Sequence, residues 1–160
     1  MRKQLKSFAA AFRGFFSAIA TEGHLRFHLV AAVYVIAFSF FYEMDAVKWA
    51  VIVILISLII SAELINSAIE TLCDRVTRDY DEMIKTVKDI SAAAVLALSV
   101  GAVVAAFLFY FDLARINFIF NYFTGNPLVL ILFLISLIIS VLFIVPGPVK
   151  IINHFNKPKK

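Results

Sequence analysis

The chain has 160 residues, 62% hydrophobic and only 16% charged, with a mean hydropathy of +0.95. Soluble domains run about 45–50% apolar and about 25% charged, so a soluble globular fold is excluded. A hydrocarbon core roughly 30 Å thick takes about 20 apolar residues per helix, which leaves room for about three or four spans and no large extramembrane catalytic domain. The single cysteine, Cys73, rules out an internal disulfide and any Cys-rich metal centre. The formal net charge of +4 reads, in so apolar a chain, as topology and anionic-headgroup signals, and no nucleic-acid partner is expected.

In chain order, Leu5, Phe8, Phe12, Phe15, Phe16 and Ile19 recur at helical spacing while Arg2, Lys3, Lys6 and Arg13 fall mainly elsewhere on the turn, which predicts an interfacial amphipathic helix. Glu22, His24, Arg26 and His28 break up the stretch after this helix, so the segment lacks the continuous apolar region of a cleaved signal peptide. The run Leu29 to Tyr42 is short for a crossing and must borrow length from Leu25-Arg26-Phe27-His28 by snorkelling or local thinning of the bilayer. From Ala46 to about Asp74 the chain is long, apolar in its first half, and carries Glu63, Asn66, Glu70 and Asp74 in its second. The stretch Arg75 to Asp89 is densely charged and reads as a solvated loop. Ile90 to Phe111 has no charged side chain and is the clearest span. After a loop over Asp112 to Gly125, the run Leu128 to Val145, bracketed by Pro127 and by Pro146-Gly147-Pro148, predicts a fourth.

With four spans, the segments before Leu29, between Asp74 and Asp89, and after Pro146 share one side. They hold all but Lys48 and Arg115 of the 15 Lys and Arg residues. The positive-inside rule makes that side the cytoplasm, giving a multi-pass protein of a bacterial inner membrane with both termini cytoplasmic. Three spans would strand the basic tail Lys150, Lys157, Lys159 and Lys160 outside.

At 100° per residue, positions 63, 66, 70 and 74 fall within an arc of about 80°, so Glu63, Asn66, Glu70 and Asp74 share one face of the second span. An intramembrane carboxylate costs several kcal/mol unless it is paired, protonated or bound to a cation, which makes it a candidate for function. Hard divalent cations take oxygen ligands from a carboxylate or two. Glu22, near the same cytoplasmic interface, is the next candidate acid. His24 and His28 are too few for a metal site. With glycines only at 14, 23, 101, 125 and 147, neither a P-loop nor a G-x-G-x-x-G motif exists, so a nucleotide would need another kind of pocket.

The segment Glu63-Leu-Ile-Asn66-Ser-Ala-Ile-Glu70-Thr-Leu-Cys-Asp74, followed by Lys88-Asp89-Ile-Ser-Ala-Ala-Ala-Val, resembles the signature of the prokaryotic diacylglycerol kinase family, which includes the undecaprenol kinases. Arg13-Gly14 with Glu22, Arg26 and His28 resembles the family's N-terminal segment. The resemblance covers roughly residues 1 to 112 and implies an all-α integral membrane fold with a surface helix and three transmembrane helices. Here one additional C-terminal span follows, giving a lipid kinase membrane domain over 1–112 and an extracytoplasmic loop, fourth span and basic cytoplasmic tail over 113–160. It further implies a homotrimer with active sites between neighbouring subunits, and transfer of the γ-phosphate of ATP to a membrane lipid alcohol, undecaprenol or diacylglycerol, with Mg²⁺.

Carried over by position, the resemblance implies Glu63 as the catalytic base, beside the lipid hydroxyl, and Asn66 as an active-site residue. It implies Glu22 and Glu70 as holders of the metal that accompanies ATP. Nucleotide contacts are implied at Lys88 and Asp89 and in the charged loop at Asp79, Tyr80 and Asp81, and lipid or phosphate contacts at Arg13 and Arg26. Lys3 stands where some members carry an Arg, and His24 where undecaprenol-type members commonly have Asn. The competing reading of the stripe is an ion-translocating transporter or channel subunit, in which Glu63, Asn66 and Glu70 would relay an ion. The charged trio Glu22, Lys88 and Asp89 suits a nucleotide site and is unnecessary in a pore.

Overall fold

The computed structural model describes residues 2–77 and 79–148, and among them it contains six helices and no strand. The amphipathic helix α1 runs Arg2–Thr21. Glu22, in extended backbone (φ −95, ψ 113), separates it from α2, Gly23–Ser39. Helix α3 spans Ala46–Val76, its N-terminus capped by the Asp45 carboxylate, which accepts from the Lys48 amide at 2.8 Å. Helix α4 covers Glu82–Tyr110, capped by Asp81, and α6 covers Pro127–Ile144, with the proline in the first turn where its missing N–H costs nothing.

Two expectations change. The segment expected as an outer loop is mostly helix α5, Leu113–Gly125, nucleated by Asp112, whose carboxylate accepts from the Ala114 and Arg115 amides. Leu113, Ile116, Phe120 and Phe123 recur at helical spacing, and Phe123 packs on Phe38 and Phe133. The charged stretch Arg75 to Asp89 is likewise only briefly non-helical. Helix α3 runs on to Val76 and α4 starts at Glu82, because Asp81 caps it and Glu82 sits favourably in its first turn. The expected basic tail lies outside the described residues.

Hydrogen bonds fix the topology. Asn66 meets Ser91, so α3 and α4 run antiparallel. Ser39 meets Tyr110, placing the ends of α2 and α4 together, and Arg26 meets Ile144, placing the start of α2 at the end of α6. The four long apolar helices therefore alternate up and down, as the sequence predicts. Three of them are long and apolar enough to cross a membrane, and the 17-residue α2 is about 26 Å long, taking in Leu25 to His28 as expected. Helix α3 is the backbone of the bundle: α4 and α2 pack on it, α1 touches it, α6 packs on α2 and α5 on α6. Neither α5 nor α6 has a buried residue, and Leu25, Ile52, Ile59, Cys73 and Val95 form a narrow apolar interior. The outward apolar faces suit a membrane protein, since lipid tails solvate leucine as well as a protein core does.

One end of the bundle is closed by Tyr42, whose hydroxyl donates to the Tyr110 carbonyl at 3.0 Å, and by the Arg115–Glu43 ion pair. Burial, with Asp112 and Tyr110 beside it, pushes the Tyr42 phenol up, so it remains a neutral donor. The candidate acids lie at the opposite end.

Candidate active site

The buried face of α3 reads Ile52, Ile59, Glu63, Asn66 and Cys73, spacings of seven, four, three and seven residues that keep one stripe against α2 and α4. The polar pair thus continues the apolar seam instead of facing away from it. Glu63 is 3% exposed and Asn66 8%. No hydrogen bond from the described residues reaches the Glu63 carboxylate, although the charges of His24, Glu70 and Glu22 act on it. The junction of α1 and α2 is therefore brought to the side of α3, uniting residues about forty positions apart in sequence.

Below Glu63 a hydrogen-bonded chain joins α3 to α4. The Ser91 hydroxyl donates to Asn66 Oδ1 at 2.6 Å, and Asn66 Nδ2 donates to Glu70 Oε1 at 3.0 Å. The amide is thereby fixed in orientation, its carbonyl facing α4 and its NH₂ facing Glu70. One turn further on, Lys88 pairs with Asp74, side chains 34% and 66% exposed. Glu63 stands seven residues, or about 10 Å along the axis, deeper than Glu70. The predicted stripe therefore divides by depth: Glu63 and Asn66 are buried, Glu70 is partly exposed, and Asp74 is solvated.

The other candidate residues are distributed around this centre. Asp79 and Tyr80 are exposed on the α3–α4 connection, where the Asp79 amide donates to Thr77 Oγ1, and the Asp81 carboxylate accepts from the Ile84 amide as the cap of α4. Asp89 is exposed on α4 beside Lys88, and Arg13 is exposed on α1. Arg26 is buried at 5% exposure, its guanidinium turned onto backbone carbonyls of α1 and α6.

A divalent cation with a nucleotide needs few protein ligands, because phosphates and water complete an octahedral shell around one or two carboxylates. Glu22 and Glu70 fit that requirement. Both are partly exposed, Glu22 makes no cap hydrogen bond despite its N-cap position, and Asn66 engages only one Glu70 oxygen. Among the described residues no cluster of three or more His, Cys, Asp or Glu side chains is placed to hold a metal by itself.

The sequence model of prokaryotic diacylglycerol kinase matches residues 9–110. The chain belongs to that family. It is 33% identical over 110 residues to an undecaprenol kinase of Bacillus subtilis, covering 69% of this chain and 89% of the relative. It is 35% identical over 101 residues to a diacylglycerol kinase of Synechocystis (62% and 58% of the two chains). To a diacylglycerol kinase of Escherichia coli K12 it is 28% identical over 100 residues (62% and 82%). The family match ends at the last residue of α4, so every residue of the site lies inside it and α5 and α6 lie beyond it.

Two side chains at this family site escaped the sequence reading as site residues. Ser91 stands in the quoted motif without a role of its own, and the contact with Asn66, 25 positions away in sequence, exists only once the α3–α4 hairpin closes. His24 read as an interfacial side chain, yet it sits at the junction of α1 and α2, and both helices pack against α3, which carries Glu63. A cavity of about 310 Å³ between α2, α3 and α4 adds a further feature. Its wall includes His28, Ile59, Ile60, Ala102 and Tyr110, so it ends one helical turn from Glu63 and extends toward the far side of the bilayer.

Proposed function

We propose that this membrane protein is a lipid kinase that transfers the γ-phosphate of ATP, with Mg²⁺, to the hydroxyl of a membrane lipid alcohol of the undecaprenol or diacylglycerol type. The observation that carries the reading is the Glu63 carboxylate: on a side chain 3% exposed, with no hydrogen bond from the described residues, one helical turn beyond the end of an apolar cavity, and within the electrostatic reach of Glu22 and Glu70. A structural carboxylate at membrane depth would be paired, whereas one that must receive a proton is left open.

In this reading the lipid tail occupies the apolar cavity and its hydroxyl lies against Glu63. The Glu63 carboxylate takes the hydroxyl proton as the lipid oxygen bonds to the γ-phosphorus. The bond from that phosphorus to the bridging oxygen breaks, and ADP departs. Bound Mg²⁺ supplies neutralisation of the phosphate charge, and Glu22 and Glu70 would hold it. Asn66, locked by Ser91, orients Glu70. Lys88 and Asp89 contact the nucleotide, with Asp79, Tyr80 and Asp81 at its margin and Arg13 at the lipid phosphate. Phosphoryl transfer requires chiefly alignment and charge stabilisation, which these groups provide without a large fold. The proposal includes a homotrimer in an inner membrane, with this end of the bundle cytoplasmic, as the distribution of Lys and Arg favours.

The test supplies radiolabelled ATP and Mg²⁺ to purified protein in micelles containing undecaprenol, diacylglycerol or neither. Labelled lipid in either of the first arms is expected. A folded preparation that labels neither lipid overturns the reading.

A further inference from the structure

Arg26 joins three helices. From the second turn of α2, its Nη1 donates to the carbonyls of Ile19 and Ala20 at 2.8 and 3.3 Å, in the last turn of α1, and its Nε donates to the carbonyl of Ile144 at 3.1 Å, the last residue of α6. The ion pairs of the described residues are Lys88–Asp74 and Arg115–Glu43, so no carboxylate among the described residues neutralises this buried cation. Two helix C-termini do: each carries about half a negative charge, together about one. Helix α1 has no basic residue in its own last turn, so Arg26 caps it from the next helix.

The chain beyond α6 is shaped around the same guanidinium. Gly147 has φ +71, the one positive φ among the described residues. A Cβ built there would stand 2.9 Å from Arg26 Cζ and 3.1 Å from each terminal nitrogen. Those atoms end a long side chain, but one pinned by carbonyls on two other helices. Helix α6 is also fixed to α2 by the Tyr34 hydroxyl, 2.9 and 3.1 Å from those of Ser136 and Ser140.

We propose that the C-terminal turn of α6, acting through Arg26, positions Glu22, so that the helix beyond the family match is a working part of the nucleotide site. This rests on the kinase reading, with Glu22 at the metal and nucleotide. Glu22 is the single extended residue between α1 and α2, its amide donates to the Ala18 carbonyl at 2.8 Å, and its side chain caps nothing. The direction of its carboxylate is therefore set by how α1 meets α2, and Arg26 fixes that angle by gripping the end of α1 from within α2. Arg26 is thus a positioning residue, engaged by backbone and not by substrate.

The experiment compares wild type, Gly147→Ala, Arg26→Lys and the double variant in micelles, with helicity and monodispersity checked first. A lysine keeps the charge but, as a compact ammonium, cannot span carbonyls on two helices. Each single variant is expected to raise the KM for Mg·ATP about five- to tenfold while the KM for lipid stays within about twofold, and the double variant is expected to be no worse than the worse single, since both break one contact. Unchanged KM for Mg·ATP in folded Gly147→Ala, additive effects, or a change in Arg26→Lys confined to the lipid KM overturns the inference, the last making Arg26 a lipid contact. If Gly147→Ala does not fold, the KM split in Arg26→Lys decides alone. A wild type that phosphorylates no lipid overturns the kinase reading and this inference with it. Normal wild-type transfer with unaltered KM values overturns this inference only.

Discussion

In the proposed mechanism Glu63→Gln removes the proton acceptor and almost nothing else. The amide has the shape of the carboxylate, and because no donor from the described residues bonds to Glu63, the substitution strands no partner. A neutral side chain at 3% exposure also escapes the desolvation penalty of a buried anion, several kcal/mol for an unpaired ion. The variant is therefore expected to be at least as stable to heat as wild type. Turnover is a different matter: a positioned general base contributes about 10²–10⁴-fold, or about 3–5 kcal/mol of barrier. Nucleotide affinity should remain within about threefold, since Glu63 lies about 10 Å along α3 from Glu70. The assay pairs turnover with radiolabelled ATP against equilibrium nucleotide binding and a thermal melt. Wild-type turnover should also decline toward acid pH as Glu63 takes up a proton. If Glu63→Gln keeps more than about a tenth of wild-type turnover, Glu63 orients the alcohol without accepting its proton, and the base lies elsewhere. Loss of ATP binding in step with activity would move Glu63 to the metal and nucleotide.

The contacts around Glu63 lead to three further outcomes. Ser91→Ala removes the donor that fixes Asn66 Oδ1 and should cost about 1 kcal/mol or less in a thermal melt, as interhelical hydrogen bonds in membranes do, while freeing the amide to rotate and lowering kcat/KM about tenfold; Ser91→Thr should restore both. Glu22→Gln and Glu70→Gln should each weaken Mg·ATP binding by about tenfold or more with the KM for lipid little altered, measured by calorimetric titration with and without Mg²⁺. Asp74→Asn should leave stability within about 1 kcal/mol, because its pair with Lys88 is largely solvated, and should not weaken ATP binding; Lys88→Gln should weaken it, measured in the same titration.

The alternation of spans was legible because each is an uncharged run bounded by caps or prolines, and the 3.6-residue period alone put Glu63, Asn66 and Glu70 on one face. What periodicity does not carry is depth or partnership. It places Asp74 beside Glu70, but whether a carboxylate is sealed or solvated depends on where the neighbouring helix ends, and α4 brings Lys88 there. Helix α5 is hidden for a related reason: the segment between two spans is helical because Asp112 caps it and its aromatic face has α6 and α2 to meet, and neither partner is visible from the segment alone. Arg26 shows the limit most clearly. Motif position suggests a phosphate contact, and neither motif nor periodicity foretells that its hydrogen bonds go to carbonyls 7, 6 and 118 residues away, the last on a helix the motif does not include.

The length of α3 accounts for the division of the acids by depth. At 31 residues it is about 46 Å long, well over the roughly 30 Å of hydrocarbon, so one straight helix carries a face from the apolar interior out into water. The proposed mechanism uses that gradient: a proton acceptor deep enough to meet a hydroxyl held by its hydrocarbon tail, and acids shallow enough to meet Mg·ATP arriving from the aqueous side. Spacing the acids seven residues apart on one continuous helix sets both depths with a single element. Among the described residues the cost of a buried carboxylate without a hydrogen-bond donor then falls on Glu63, the position where the proposed mechanism needs an open proton acceptor. Shifting Glu63 by one turn in either direction would keep it on the same face but break the correspondence, bringing it to the level of Ile59 and the cavity wall or to that of Ser67, whose hydroxyl donates to the Glu63 carbonyl.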